Sequence, residues 1–169
     1  MNIRKATPDD APAICNIYNY YIENTAVTFE TTPLPESVMR QRMAEVIGSG
    51  YSFYVGEADG KIIGYYYTQC WKNRSAYTST MEESIYLDKD EAGKGYGSRM
   101  FEHLLAHIDG SSTHVLIACI SIPNEGSVRL HEKFGFRQIS HMKEIGRKFD
   151  RWRDIGHWQL ILGLEPEKS

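Results

Sequence analysis

The sequence has few cysteines, no long apolar run and no strong excess of charge. Its three cysteines, Cys15, Cys70 and Cys119, are odd in number and lack metal-ligand spacing, so we expect no disulfide framework and no metal site. No apolar stretch approaches membrane-spanning length, and the N-terminus lacks the apolar segment of a secretory signal. These absences favour a cytoplasmic protein.

The charge balance excludes two classes of partner. A net charge of −3 over 169 residues argues against a general nucleic-acid or anionic-membrane surface. The hydrophobic fraction of 41% and the charged fraction of 24% are ordinary for a globular domain that buries a core. We expect one domain over residues 1–164, followed by a loose tail at residues 165–169.

Hydrophobic periodicity and turn signals predict a mixed architecture. Asp59-Gly60 is a strong hairpin signal between two β-type runs, and the second half alternates helices with strands. The predicted strands are 3–6, 52–58, 61–68, 76–87, 114–121, 137–144 and 157–162, and the predicted helices follow Thr7, span 36–47, and begin at Ser98 and Asn124. Hairpins combined with crossovers indicate an α/β (α+β) fold with strands of mixed direction.

The most informative segment is a glycine-rich loop between a strand and a helix. Gly93, Gly95 and Gly97 leave backbone N–H groups free before the helix, which is typical of an anion site that takes phosphate. A P-loop is excluded because Asp88 stands where its first glycine would be. A dinucleotide fingerprint is excluded because its last glycine would fall on Ser98 or on a methionine.

Two segments resemble the CoA-binding signatures of the GNAT family of acyl-CoA N-acyltransferases. The first is the loop from Ala92 to Gly97, where Ala92 replaces the usual Gln or Arg. The second is Asn124 to Phe136, an Asn that opens a helix ending in Gly-Phe. This resemblance implies a GNAT-like fold with a mixed central sheet of about seven strands flanked by about four helices. It also implies acetyl-CoA as co-substrate and no metal.

The similarity extends to one branch, the phosphinothricin and methionine sulfoximine or sulfone acetyltransferases. Its marks include Val27-Thr28-Phe29, the run from Trp71 to Tyr77, Glu82 with the following Ser-Ile-Tyr-Leu, and the segment around His131. The branch implies a small amino-acid-like amine as acceptor and a homodimer. Acceptors of other kinds, namely a polyamine, an aminoglycoside or a protein N-terminus, stay open, as does a non-catalytic acyl-CoA-binding regulator.

The resemblance assigns cofactor contacts residue by residue. The backbone of the strand before the loop would pair with the pantetheine amides, and the loop and helix start would hold the pyrophosphate. Asn124 would bond the pantetheine, and two lysines would neutralise phosphates. The implied cofactor-binding residues are Ile85, Tyr86, Leu87, Gly93, Lys94, Gly95, Tyr96, Gly97, Ser98, Asn124 and Lys133.

Two side chains are candidates for proton transfer. Glu82 matches the branch's proposed catalytic glutamate, and a base is needed because an α-amino group is mostly protonated at neutral pH. Glu83 should face the opposite side of the sheet by period-two alternation, unless a bulge intervenes. His131 stands where many GNAT enzymes have a tyrosine, and it would act as acid, secondary base or positioner.

The acceptor site is implied by the same resemblance. Arg74 matches the residue that grips the acceptor carboxylate through a bidentate pair, with Lys72 as a neighbouring alternative. Phe29 and Tyr77 are expected to wall the pocket. A further cluster would shape either the acceptor site or a dimer contact, and consists of Lys148, Phe149, Trp152 and Asp154.

Overall fold

The computed structural model describes residues 1–163, so the tail expected at 165–169 lies outside the described residues. The strands are β1 Asn2–Lys5, β2 Phe53–Ala58, β3 Lys61–Cys70, β4 Thr80–Leu87, β5 Val115–Ile122, β6 Arg137–Lys148 and β7 Arg151–Ile161. The helices are α1 Ala11–Asn24, α2 Glu36–Gly48, α3 Tyr96–His107 and α4 Glu125–Lys133. Within the described chain, no helix is both long and apolar enough to cross a bilayer.

All of these strands form one sheet of order β1-β2-β3-β4-β5-β7-β6. Only β4 and β5 run parallel, joined by the crossover through α3, and the other neighbours are antiparallel. The predicted fold class is therefore confirmed, with seven strands and four α-helices in the described residues. The mixed direction follows from hairpins in each half and one crossover between them.

The sheet has a hydrophobic core on each face. Helices α1 and α2 cover one face, where Ile14, Met43 and Tyr65 are buried. Helix α3 covers the other, where Phe101 and Leu104 are buried. Because alternate residues of a strand point to opposite faces, each central strand contributes to both cores.

The element boundaries differ from the prediction where local structure or exposure hides the strand pattern. The strand expected from residue 76 begins at Thr80, because Ser75–Tyr77 forms a 3-10 turn. Strands β6 and β7 are longer than predicted. Most side chains of β6 are exposed, so the sequence there shows little hydrophobic alternation, and the β6–β7 register shifts between Met142 and Gly146.

Gly64 of β3 is required by close packing, which gives a stability prediction. A Cβ at Gly64 would lie 2.7 Å from Leu87 Cδ2 and 2.8 Å from the carbonyl oxygen of Tyr86. We expect Gly64→Ala to lower the free energy of unfolding by about 1–3 kcal/mol, as overpacking does. The measurement is urea unfolding.

Gly48→Ala is the control, because nothing lies within 4 Å of its added Cβ at the end of α2. It should leave the free energy of unfolding within about 0.5 kcal/mol of the wild type. Equal losses in the two variants would contradict the packing argument.

Candidate active site

The site begins where two neighbouring strands stop pairing. Strands β4 and β5 pair from Thr80 with Val115 to Glu83 with Ala118, and no further. Beyond this point they diverge, and a gap of about 50 Å³ opens between them. The residues lining the gap are Val27, Glu83, Ser84, Ile85, Tyr86, Ala118, Cys119, Ile120, Ser121, Asn124, Ser127 and His131.

A larger groove of about 460 Å³ shares several of these residues and runs to the start of α3. It is lined by β4, the glycine loop and α4, through Tyr21, Val27, Ile85, Tyr86, Leu87, Ala92, Gly93, Gly95, Gly97, Ser98, Asn124, Gly126, Ser127 and Leu130. The strand edge exposed by the gap offers unpaired backbone N–H and C=O groups, as an added strand would require. The helix start offers free N–H groups suited to an anion.

The glycine loop needs its glycines for two reasons. Gly93 and Gly95 have φ of +77° and +81°, a region that side chains disfavour, and nothing lies within 4 Å of a Cβ built on either. Gly97 is buried, and a Cβ there would lie 3.3 Å from Leu130 Cδ2. The loop therefore leaves open space beside the first turn of α3 and lets α4 pack closely.

The structure brings most of the predicted cofactor residues to the groove. Lys133 of α4 donates from Nζ to Ser98 Oγ at 2.9 Å, which puts a positive charge beside the start of α3. Asn124 lines the groove and accepts from the Ser127 N–H at 3.2 Å, so it also caps α4. By contrast, Lys94 is exposed and bonds Glu91 at 3.1 Å. Tyr96 opens α3 but is not part of the groove wall.

Glu82 lies on the face of the sheet covered by α1 and α2. The register of β3 with β4 is continuous from Gly64–Leu87 to Cys70–Met81, so no bulge alters the alternation. Burial raises the pKa of Glu82, and the charge of Glu83 raises it further. Glu82 is not among the residues that line the gap or the groove, whereas the adjacent Glu83 lines the gap.

Glu83 and His131 form a buried pair on the opposite face. The His131 Nε2 atom lies 2.6 Å from Glu83 Oε1, and their side chains are 3% and 1% exposed. The other ring nitrogen, Nδ1, lies 2.7 Å from the Ser127 carbonyl oxygen and 3.3 Å from Ser127 Oγ. The structure therefore does not bring Glu82 and His131 together on one face, although the gap reaches both faces.

The pKa of His131 is raised although burial works against it. Burial is the largest single influence and lowers the pKa, but the charge and hydrogen bond of Glu83 and the Ser127 carbonyl together outweigh it. The pair thus favours the imidazolium form. A buried cation beside a buried carboxylate avoids leaving either charge uncompensated.

None of the predicted acceptor residues Arg74, Tyr77 and Phe29 lines the gap or the groove, although the Tyr77 N–H donates to the Arg74 carbonyl oxygen at 2.9 Å within one turn. Arg74 is exposed on the turn between β3 and β4, and Lys72 Nζ lies 5.3 Å from the Trp71 ring and 5.8 Å from the Tyr77 ring. Phe29 packs against Gly146 of β6, so closely that a Cβ on Gly146 would overlap the Phe29 ring.

Of the two roles predicted for Lys148, the structure contradicts the dimer contact. Its side chain is buried, and Nζ donates to the Thr28 carbonyl oxygen at 2.8 Å, which ties the α1–α2 connection to β6. Burial lowers its pKa. Phe149 and Trp152 are 51% and 60% exposed, while Asp154 accepts from the Glu144 N–H and bonds His141 Nε2.

Sequence reasoning missed three contributors to the site. Val27 and Tyr21 line the groove from the α1 side, and Tyr21 donates its hydroxyl to the Leu87 carbonyl oxygen at 2.8 Å. Ser127 lines both spaces, and its spacing of four residues before His131 on one helix was the available signal. Among residues 1–163, no group of three or more His, Cys, Asp or Glu side chains could hold a metal ion.

Comparison with known proteins agrees with this geometry. A family model described as an acetyltransferase (GNAT) domain matches residues 3–157. Phosphinothricin N-acetyltransferase of Streptomyces viridochromogenes is 35% identical, over 94% of this chain and 86% of its own. The L-methionine sulfoximine/L-methionine sulfone acetyltransferase of Pseudomonas aeruginosa is 31% identical, over 99% of this chain and 97% of its own.

A solved structure is also similar. The GNAT superfamily phosphinothricin acetyltransferase from Sinorhizobium meliloti, in complex with acetyl-CoA, superposes with a TM-score of 0.92 at 34% identity, covering 96% of this chain and 88% of its own. The fold and both signatures thus define the class as an N-acetyltransferase. The chain belongs to the GNAT acetyltransferase family.

The raised pKa of His131 predicts a pH-dependent contribution to stability. A histidine whose pKa is higher in the folded than in the unfolded state stabilises the folded protein. This contribution is complete below the unfolded-state pKa of about 6.5, and it is lost as the pH rises through the folded-state pKa. We expect the difference in unfolding free energy between wild type and His131→Gln to fall over this window, by up to about 1.4 kcal/mol per pH unit.

The measurement is urea unfolding at several pH values between 5.5 and 9, a range that brackets the pKa of histidine at about 6.5. His114→Gln, at an exposed position, controls for the loss of a histidine as such. A difference that grows as the pH rises would contradict the assignment.

Proposed function

We propose that this protein acetylates the α-amino group of a small amino-acid analogue such as phosphinothricin, methionine sulfoximine or methionine sulfone. Acetyl-CoA is the acyl donor, and residues 1–164 act as one domain. The observation that carries the proposal is the continuous path from the glycine loop at α3, along the free edge of β4, to the gap lined by Glu83 and Ser84. The names of the relatives supply the acceptor class.

The donor would extend along this path. Its pyrophosphate would accept from N–H groups at Gly93, Gly95 and Ser98, with Lys133 and Lys94 near the phosphates. Its pantetheine amides would pair with the backbone of β4 from Ile85 to Leu87, near Asn124. The thioester would then lie in the gap, where a backbone N–H of β4 can stabilise the oxyanion.

We propose direct attack by the amine, with Glu82 as the base. A raised pKa makes the Glu82 carboxylate a stronger base. The pKa of Glu82 is then closer to the pKa of the amine, and proton transfer from the amine is more favourable. Cys119 is an exposed residue that lines the gap, and desolvation of its thiol by the surrounding chain, together with the charge of Glu82, raises its pKa to about 11. This thiol stays protonated at neutral pH and is therefore a poor nucleophile.

On the acceptor side, Arg74 would bind the carboxylate or phosphinate, with Tyr77 and Phe29 nearby. Two finer proposals accompany this one. The chain would form a homodimer, with the exposed Phe149 and Trp152 as candidate contacts. It would work in the cytoplasm, where the free cysteines would remain reduced.

The acceptor is tested by a panel of amines with acetyl-CoA, following thiol release. We expect acetylation of methionine sulfoximine, methionine sulfone or phosphinothricin, and loss of this activity in Arg74→Ala through a higher KM. Lys72→Ala tests the alternative carboxylate-binding residue, and Lys61→Ala, at an exposed position of the β2–β3 hairpin, controls for the loss of a surface cation. Activity on polyamines alone would overturn the acceptor class, and CoA binding without any transfer would favour the regulator.

The base is tested by Glu82→Gln, which keeps shape and removes the proton-accepting charge. We expect kcat to fall about 10²–10⁴-fold, the usual contribution of general acid–base catalysis, while the Kd for CoA stays unchanged. Wild-type kcat should decline as the pH falls through the raised Glu82 pKa. The control is Glu102→Gln, on the exposed face of α3. Unchanged turnover in Glu82→Gln would show that Glu82 is not the base.

The proposed binding of the pyrophosphate by the glycine loop is tested by Gly95→Ala. An added Cβ projects into open space beside the start of α3, so we expect the Kd for CoA to rise about tenfold, the loss of roughly one charge-assisted hydrogen bond. Calorimetry measures it.

Gly60→Ala matches the backbone strain, because Gly60 has φ of +75° with the same empty surroundings at the β2–β3 turn. It should leave the Kd unchanged. Equal CoA affinity in the two variants would place the pyrophosphate elsewhere.

A further inference from the structure

The buried pair of Glu83 and His131 has a defined proton content. Both ring nitrogens of His131 face oxygen acceptors at short distance, Glu83 Oε1 at 2.6 Å and the Ser127 carbonyl oxygen at 2.7 Å. A neutral imidazole carries one N–H and would turn a lone pair towards one of these oxygens. The geometry therefore suits an imidazolium that donates from both nitrogens, to Glu83 Oε1 and to the Ser127 carbonyl oxygen.

The surroundings leave few other ways to compensate these charges. Thr68 of β3 and Ala118 of β5 flank Glu83 in the sheet, and the rings of Phe101 and Phe136 pack edge-on against His131. In the described part of the chain, Glu83 Oε2 is buried without a hydrogen-bond partner, so the imidazolium is the group that balances this carboxylate.

One other carboxylate lies close to the pair. Glu82 lies on the far face of β4, and its pKa is raised by burial and further by the charge of Glu83. Glu132 follows His131 on α4, but it is exposed and its Oε1 accepts from Trp158 Nε1 at 3.3 Å. Glu83 is therefore the carboxylate that contacts the His131 ring, while Glu132 bonds Trp158 instead.

Ser127 connects this pair to the reaction space. Its Oγ lies 3.3 Å from His131 Nδ1, and the residue lines both the gap and the larger groove. Its hydroxyl can accept a proton from Nδ1 and donate its own towards the gap. Nε2 faces Glu83, so Nδ1 is the ring nitrogen that can pass a proton through Ser127 towards the gap.

We propose that Glu83 is a positioning residue that keeps a proton stored on His131, and that Ser127 passes this proton to the departing sulfur. The inference rests on the proposed acetyl transfer. As the C–S bond breaks, the thiolate takes the Ser127 hydroxyl proton, and Ser127 takes the Nδ1 proton. His131 is left neutral, with its Nε2–H bonded to Glu83, and regains a proton when the new amide nitrogen releases one.

The role of Glu83 resembles that of the carboxylate in a serine–histidine–acid triad, where the acid orients the imidazole and stabilises its cation without becoming protonated. The direction of transfer differs, since here the chain would protonate a leaving group. The raised pKa of His131 is consistent with this storage, because Glu83 and Ser127 outweigh the effect of burial.

The first test needs no variant and no substrate. In ¹⁵N-labelled resting protein at pH 7, the two ring nitrogens of His131 should both give the chemical shifts of protonated imidazolium, and this state should persist above the usual histidine pKa of about 6.5. A neutral tautomer at pH 7 would overturn the proposal, whatever the enzyme's activity.

The second test is Glu83→Gln, which keeps the shape and removes the charge. We expect kcat to fall about 10²-fold, the lower end for general acid catalysis, and the alkaline limb of the kcat–pH profile to move to lower pH. The KM for acetyl-CoA should stay within about twofold, since uniform binding is unaffected. Glu132→Gln makes the same chemical change at an exposed neighbour and should leave both properties unchanged.

The third test is Ser127→Ala alone and combined with Glu83→Gln. If both residues serve one proton path, the double variant should lose no more than the worse single variant, because members of one unit are strongly non-additive. The relay would be overturned if the kcat losses of the two single variants multiply in the double variant. It would also be overturned if the kcat–pH profile of Glu83→Gln has the same alkaline limb as the wild type. Absence of acetyl transfer by the wild type would overturn the proposed function as well, while the NMR test still reports the charge state.

Discussion

The structure depends on the point where β4 and β5 cease to pair. Four pairs of residues, ending at Glu83 and Ala118, hold the only parallel junction of the described sheet. Beyond them the two strands diverge and leave backbone groups of β4 without a strand neighbour. An edge inside a sheet is normally a liability, because its N–H and C=O groups seek partners. In an acetyltransferase, the pantetheine chain of the donor can supply those partners.

Elements on both faces converge on this junction. From the α1 side, Tyr21 bonds the Leu87 carbonyl oxygen, and Lys148 holds the chain after α1 against β6. From the α4 side, His131 reaches Glu83 at the last paired position of β4. The reaction space is therefore built at the meeting point of two separate cores. Glu82 and Glu83, adjacent in sequence, can have different roles because they face different environments.

Much of the cofactor side could be predicted because its signals are local. Gly93 and Gly95 need positive φ, and a helix starting directly after them leaves free N–H groups, whatever the rest of the chain does. The alternation that separates Glu82 from Glu83 is equally local. The acceptor side was harder to predict, because the sequence left Lys148 between an acceptor and a dimer role and did not show that it is buried against the Thr28 carbonyl oxygen.

The sequence by itself determined the mixed α/β class, the family and the glycine loop that opens α3, since the periodicity and the motifs behind them are patterns among neighbouring residues. Only the tertiary structure decided that His131 meets Glu83, 48 residues away, rather than Glu82. The residues next to a histidine in a helical sequence do not predict which strand residue it will contact. That pairing depends on how α4 packs over the diverging strands, and with the Ser127 carbonyl it outweighs burial and raises the pKa of His131.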